Sequence, residues 1–314
     1  MAKYLVTGGA GFIGSHIVDR LVGEGHQVRV IDDLSSGREA NLAGHGKKVE
    51  FHKGDIRDRT LMAKVMQGIE QVLHVAAWRS VPKSMADPYG YMDVNVLGTT
   101  NLLEQAVKAK AKRVVVVSSS SVYGEATKVP MSETDPANPV SPYAASKLMD
   151  ETLCGLFYRG FGLETVAVRY FNVFGPRQSL ENDYAVVIPK FIACLLKKES
   201  PPIYGDGKQS RDFTYIDNVA EATILASQVP GVGTAEVFNI ALGEEHTVLD
   251  LLDELNTIMG LSIKPTFVPK RPGDVLRTYA DSSKAQRLLK WTGRVNFSEG
   301  LRRTVEWFKK NPPA

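Results

Sequence analysis

Tyr143 and Lys147 stand four residues apart in the string SPYAASK, a spacing that sets both side chains on one face of a helix. A phenol ordinarily gives up its proton at a pH of about 10, too high for a base at neutrality. An ammonium held beside it favours the phenolate, and a tyrosine so activated can exchange a proton with an alcohol or sugar hydroxyl. Upstream, the apolar run RVVVVS leads into four consecutive serines, Ser118 to Ser121, followed by Val122 and Tyr123. Residues at the end of a buried strand commonly face a ligand crevice, so these hydroxyls are candidates for contact with the same reacting group. No acid stands among them.

The elements that must position these groups begin with LVTGGAGFIGSH, where Gly8, Gly11 and Gly14 follow an apolar strand and open a helix running from Ile13 to about Glu24. Gly8 permits the tight turn, Gly11 lets backbone approach a pyrophosphate, Gly14 lets the helix pack close to the sheet, and the helix N-terminus supplies N–H groups and positive potential. A dinucleotide site is predicted. The second strand ends in VIDDLSSG, with Asp32 about 20 residues beyond the glycines, where an acid hydrogen-bonds the adenosine ribose and repels a 2′-phosphate. That favours NAD over NADP. Asp33 is the alternative ribose ligand, and either acid can instead cap the following turn. Asp55 and Ile56, in GDIRD after the third strand, are placed to grip the adenine.

Strand-length apolar runs alternate with helical patterns through the first half: KYLVT, QVRVID, VEFHK, a short helix near Leu61, QVLHVA, a longer helix over 95–108 and RVVVVS, then a helix after Pro142 and the strand LETVAVRY. Such alternation implies βαβ units and a parallel sheet covered on both faces. The predicted fold class is α/β, a Rossmann-type doubly wound sheet over 1–170. A smaller, mainly substrate-binding C-terminal lobe is expected over 171–314, with segments able to return to the first domain. Pro- and Gly-rich stretches such as ESPPIYGDGKQSRDF mark the change of rhythm near Phe171.

With these motifs in order, joined by RYFNVFGPRQ and RPGDVLRTYAD, the sequence from Lys3 to about Trp307 resembles the extended short-chain dehydrogenase/reductase family, and within it the UDP-hexose 4-epimerases. The resemblance implies a tightly bound NAD. It also implies catalytic roles for Ser119, which contacts the sugar O4, for Tyr143 as the base and for Lys147, which holds the nicotinamide ribose. Phe12, Ile13, Ala76, Ala77, Arg79, Asn95 and Tyr170 would lie along the cofactor, although the family more often has Lys or a small residue at Arg79. Ser120, Ser121, Asn172, Val187, Tyr204, Arg211, Arg271, Asp274 and Thr278 would lie along the UDP-sugar. Relatives that eliminate water carry Asp-Glu after the strand-end Ser/Thr, and those that decarboxylate a UDP-uronic acid carry Glu two residues after it. Ser120 and Ser121 stand there instead, which leaves oxidation and reduction at C4 alone: a UDP-hexose 4-epimerase passing through a 4-keto sugar. Thr278 is small enough to leave room for an N-acetyl group at C2.

Two other readings fit the same motifs. One is a UDP-glucuronate 4-epimerase or decarboxylase, in which Arg79 or Arg177 meets a carboxylate. Another is an idle NAD-binding sensor or scaffold, disfavoured because a binder needs neither Ser119 nor the Tyr143/Lys147 pair. The resemblance further implies a homodimer formed by helices over 95–108 and 143–159.

Composition narrows the remaining classes. The charge of +3, from 38 basic and 35 acidic residues without a basic run, argues against nucleic acid. No apolar stretch of about 18 residues and no signal-like segment occur, so no membrane partner and a cytoplasmic location are expected. Cys154 and Cys194 lack ligand spacing and read as inert thiols. The six histidines, His16 and His74 among them, share no metal-binding pattern. Trp307 and Phe308 read as core.

Overall fold

The computed structural model describes residues 1–125, 128–180, 186–270 and 276–312. Strands β1 (Lys3–Thr7), β2 (Gln27–Asp32), β3 (Val49–Lys53), β4 (Gln71–His74), β5 (Arg113–Ser119), β6 (Glu164–Tyr170) and β7 (Thr234–Ile240) form one parallel sheet in the order β7-β6-β5-β4-β1-β2-β3. Strand order therefore reverses direction between β1 and β4, and the crevice beyond their carboxyl ends is where a doubly wound sheet binds its ligand.

Alternation along each strand splits the core in two. Val115 packs on one face with Val6, Val30 and Val166, beneath helix Phe12–Gly23 (Ile17, Val18, Leu21) and helix Ile216–Gln228 (Val219, Ala222, Ala226). Val114 and Val116 pack on the other with Leu5, Ile31 and Val72, under helix Gly98–Lys108 (Leu102, Leu103, Ala106) and helix Pro142–Phe161 (Cys154, Phe157). Both faces are covered, which is why these strands read as unbroken apolar runs.

The second half of the chain contributes helix Ile216–Gln228 and β7 to this sheet, β7 pairing with β6 from Thr165 to Tyr170. Its remaining strands are short: Val173–Phe174 beside Thr214–Tyr215, Ser210–Arg211 between His246–Thr247 and Arg277–Thr278, and Pro202–Tyr204 beside Thr266–Val268. Phe174, Phe213 and Phe297 pack ring against ring to join them.

Helix Pro142–Phe161 carries the Tyr/Lys pair. It begins at Ser141, whose hydroxyl accepts from the Ala144 N–H at 3.1 Å, has Pro142 in its first turn, and ends at Gly162 with φ 69°. N-cap, first-turn proline and left-handed C-cap define its ends and so fix where Tyr143 and Lys147 emerge. Among the described residues, no helix is long and apolar enough to cross a membrane.

Candidate active site

A cleft of about 1510 Å³ opens over the carboxyl ends of the central strands. Its wall gathers most of the residues singled out from sequence: Gly8, Gly11, Phe12, Ile13, Gly14, Asp32, Asp33, Asp55, Ile56, Ala76, Ala77, Arg79, Ser119, Ser120, Ser121, Tyr143, Lys147, Tyr170 and Asn172. Arg271 and Asp274 lie outside the described residues. Val187, Tyr204, Arg211, Thr278 and Asn95 are described but are not on that wall.

Asn95 differs most from expectation. It sits in a π-helical turn, Met92–Leu97, fully buried, and its amide accepts from the Trp78 N–H (2.8 Å) and donates to the Trp78 carbonyl (3.0 Å) and to Ser146 Oγ (2.9 Å). These bonds fix the loop that carries Trp78 and Arg79 to the helical turn. Thr278 also stands one step back. Its hydroxyl accepts from Asn172 Nδ2 at 2.9 Å, and its strand pairs with that of Arg211, so Asn172, Arg211 and Thr278 come together as one cluster.

The glycine turn fits a dinucleotide. Gly8 has φ +67°, and a Cβ there would lie 2.8 Å from the Ala76 nitrogen, while a methyl at Gly14 would overlap the Gly8 carbonyl oxygen. Backbone must pass where a side chain would block it. Gly11, the N-cap of helix Phe12–Gly23, has no side chain to cap it, and the first turn holds no acid, so the positive helix end borders the cleft with no acid of its own helix opposing it. Asp32 is aimed from the end of β2, its carboxylate accepting from the Ala10 N–H and the Leu34 N–H, each at 2.9 Å. Burial pushes this carboxyl up, and those N–H bonds oppose the shift. Asp33 caps Ser35 instead. Asp55 is clamped by the Arg57 guanidinium, which holds its carboxyl below the usual range.

The serine run divides by role. Ser118 donates to Glu151 Oε1 at 2.5 Å and is thereby spent on the interior. Ser119 Oγ accepts from the Ser121 N–H (3.2 Å) and from the Ser121 hydroxyl (2.8 Å). Its own proton is left to donate into the cleft. Below Tyr143, Lys147 Nζ lies 3.0 Å from Asp150 Oδ2, and both residues are almost sealed from water. The ammonium therefore has an interior counter-ion that the Tyr/Lys spacing alone does not suggest. One residue on, Glu151 is held by Arg169 through two bonds of 2.8 and 2.7 Å.

Both histidines considered for metal are structural. His74 Nδ1 meets Thr7 Oγ1 at 2.7 Å and its Nε2 meets Thr99 Oγ1 at 2.8 Å, and burial pushes its pKa down to about 3. His16 Nδ1 bonds the Phe12 carbonyl within its own helix. Among the described residues, no group of His, Cys, Asp and Glu could hold a metal ion. Cys154 is buried, which pushes its thiol up, and Cys194 is partly exposed.

Several wall residues escape a reading of local motifs. Trp307 and Phe308, read from sequence as core, do pack in the core and also line the cleft. Arg177 lines it while paired with Asp19 at 2.8 Å. Arg38 and Asn41 enter from the loop after β2, where Asn41 Nδ2 donates to the Ala10 carbonyl at 2.8 Å. That loop has to fold back over the glycine turn, and this was the available signal.

The sequence pattern of the GDP-mannose 4,6 dehydratase family matches residues 5–304. The chain belongs to that family. As a family member it is an extended short-chain dehydrogenase/reductase, and its sheet order and glycine turn are those expected of one. It is 40% identical over 311 residues to a UDP-glucose 4-epimerase of Mycolicibacterium smegmatis, with 98% of each chain covered. It superposes with TM-score 0.94 on a UDP-N-acetylglucosamine 4-epimerase of Methanobrevibacter ruminantium M1 in complex with UDP-N-acetylmuramic acid, 40% identical over 99% of each chain. A UDP-glucose 4-epimerase of Thermus thermophilus complexed with NAD gives TM-score 0.89 at 36% identity, covering 98% of this chain and 99% of that one. Family members at 33–34% identity also include a UDP-glucuronate 4-epimerase of Thermodesulfobacterium geofontis and a UDP-glucuronic acid decarboxylase of Arabidopsis thaliana.

Proposed function

We propose that the protein is an NAD-dependent 4-epimerase of UDP-hexoses, acting on UDP-glucose/UDP-galactose and on the corresponding N-acetylhexosamines. The observation that carries this reading is the cleft in which Ser119, Tyr143 and Lys147 share one wall with the glycine turn, while serines rather than acids occupy the two positions after Ser119. NAD bound there supplies a hydride acceptor that returns the hydride to the same carbon. Tyr143 takes the proton from the C4 hydroxyl and later restores it. Ser119, whose lone pairs are occupied by Ser121, donates its proton to O4 and holds that oxygen in reach. Lys147 holds the nicotinamide ribose, and Asn172 with Arg211 grips the UDP portion, as the arginine fork suits phosphate oxygens. The hexose turns over between the two half-reactions, so its grip is looser than that on the nucleotide.

Chromatography of the purified protein with UDP-glucose, UDP-N-acetylglucosamine and UDP-glucuronate in parallel tests the reading. Interconversion at C4 of the first two is expected. Loss of CO₂ from the third, or inertness toward all, would overturn it. A second reading, 4-epimerisation of UDP-glucuronate, is favoured by Arg79 on the cleft wall and would appear as conversion of that sugar alone.

Asp32→Ala is expected to weaken NAD binding about 10- to 100-fold, since it removes charge-assisted hydrogen bonds worth about 1.5–3 kcal/mol, and to relax discrimination against NADP. Titration with both dinucleotides reads the change. Unaltered affinities would transfer the ribose contact to Asp33.

Thr278→Tyr fills the space beside Asn172 and removes the acceptor of its amide. Overpacking costs about 1–3 kcal/mol, or one to two decades in rate. An acetamide needs more room than a hydroxyl, so the expected loss falls on the N-acetylated pair. Equal losses on both pairs would confine Thr278 to supporting Asn172.

A homodimer through the helices over 95–108 and 143–159 is supported by large apolar side chains left exposed on and beside them: Leu97, Met149, Leu156, Phe161, Met85 and Tyr89.

A further inference from the structure

We infer that Asp150 is a positioning residue for the proposed reaction, anchoring the Lys147 ammonium and offsetting its charge so as to set how strongly that ammonium acts on Tyr143. The inference rests on the epimerase reading and concerns a residue outside the Tyr/Lys spacing itself.

Lys147 is 3% exposed and Asp150 0%, and they meet at 3.0 Å on consecutive turns of one helix. At such burial their charges act on each other with little screening from water. The neighbouring carboxylate cannot take this part, because Arg169 and Ser118 already occupy both oxygens of Glu151. Asp150 Oδ1 has no hydrogen-bond partner among the described residues, so Lys147 is the cation that holds this carboxyl. Burial pushes the carboxyl up and the Lys147 ammonium opposes it.

Among the groups facing the pair, Glu151 is the other charge that acts on Asp150, and it raises its pKa. From β4 comes His74, kept neutral between Thr7 and Thr99. From helix Gly98–Lys108 the Thr99 hydroxyl faces Asp150 and favours its ionised form. Glu151 and Cys154 lie on the same helix as the pair, the former matched by Arg169 of β6 and the latter a neutral thiol. Tyr143 stands one turn before Lys147 on the cleft side. Lys147 thus has an interior counter-ion behind it and borders the same cleft as Tyr143. What the counter-ion neutralises is unavailable to the phenolate.

Asp150→Asn keeps an oxygen acceptor for Lys147 and removes the charge; Asp150→Ala removes both. Tyrosinate formation at Tyr143 is followed by ultraviolet titration, taken as the difference from Tyr143→Phe, alongside the pH profile of kcat and NAD retention on gel filtration. For Asp150→Asn, the tyrosinate titration and the acidic limb of kcat are expected to move together to lower pH, because a negative charge behind the ammonium is removed, while NAD stays bound. Asp150→Ala is expected to give the same shift and to lose NAD faster. If the Asn variant does not fold, the Ala variant carries the titration. An unmoved or raised titration in a folded variant would overturn the inference. Inertness of the unaltered protein toward every UDP-sugar would overturn the proposed function instead, and the titration would still read the role of Asp150.

Discussion

Tyr143→Phe is expected to lower turnover by about 10²–10⁴-fold, the usual worth of general acid–base catalysis, while NAD remains bound and the fold is intact. The substitution deletes one oxygen at the cleft wall. Tyr143 has its ring edge toward Tyr91, with centroids 6.4 Å apart, a contact that phenylalanine preserves. Ser119 keeps its proton directed into the cleft but cannot act as the base, because both acceptor positions of its hydroxyl are occupied by Ser121. Stopped assays with UDP-glucose measure the loss, and turnover within a few-fold of the unaltered protein would mean that another group moves the C4 proton.

Glu151→Ala is expected to destabilise the protein by about 3–5 kcal/mol, the cost of removing one partner of a buried ion pair. Glu151 and Arg169 side chains are each 6% exposed and are joined by two hydrogen bonds. Truncation leaves the guanidinium buried without a counter-ion, above the ring of Tyr123 at 4.7 Å, and leaves the Ser118 hydroxyl without its acceptor. Ser118 and Arg169 pair across β5 and β6, directly beneath the serine run. Urea unfolding followed by circular dichroism reads the change, and a loss below about 1 kcal/mol would mean that water reaches the pair as it does a surface bridge.

What was legible in the sequence is what neighbours along the chain determine. Gly8, Gly11 and Gly14 owe their roles to one strand-turn-helix, Asp32 to the end of the next strand, and Tyr143 and Lys147 to one helical turn; all of these reach the cleft wall. Relations between elements distant in sequence were not legible. The bridging of Thr7, His74 and Thr99 joins β1, β4 and helix Gly98–Lys108, and no short string contains it. Asn95 was placed along the cofactor by resemblance to the family, and its bonds to Trp78, in a loop 17 residues earlier, were not legible. Trp307 and Phe308 have the periodicity of core residues, which they are, but that periodicity cannot report that their helix also borders a cleft. Asp150 follows Lys147 at a spacing that places it on the same helical side; only burial distinguishes a counter-ion from a solvated carboxylate.

The central claim, that one carbon is oxidised and then reduced by the hydride it gave up, is tested most directly with UDP-glucose deuterated at C4. The account predicts UDP-galactose in which deuterium remains at C4, formed without a second substrate and with no exchange from the solvent. Solvent hydrogen at C4 of the product, or the absence of any UDP-galactose, would contradict it.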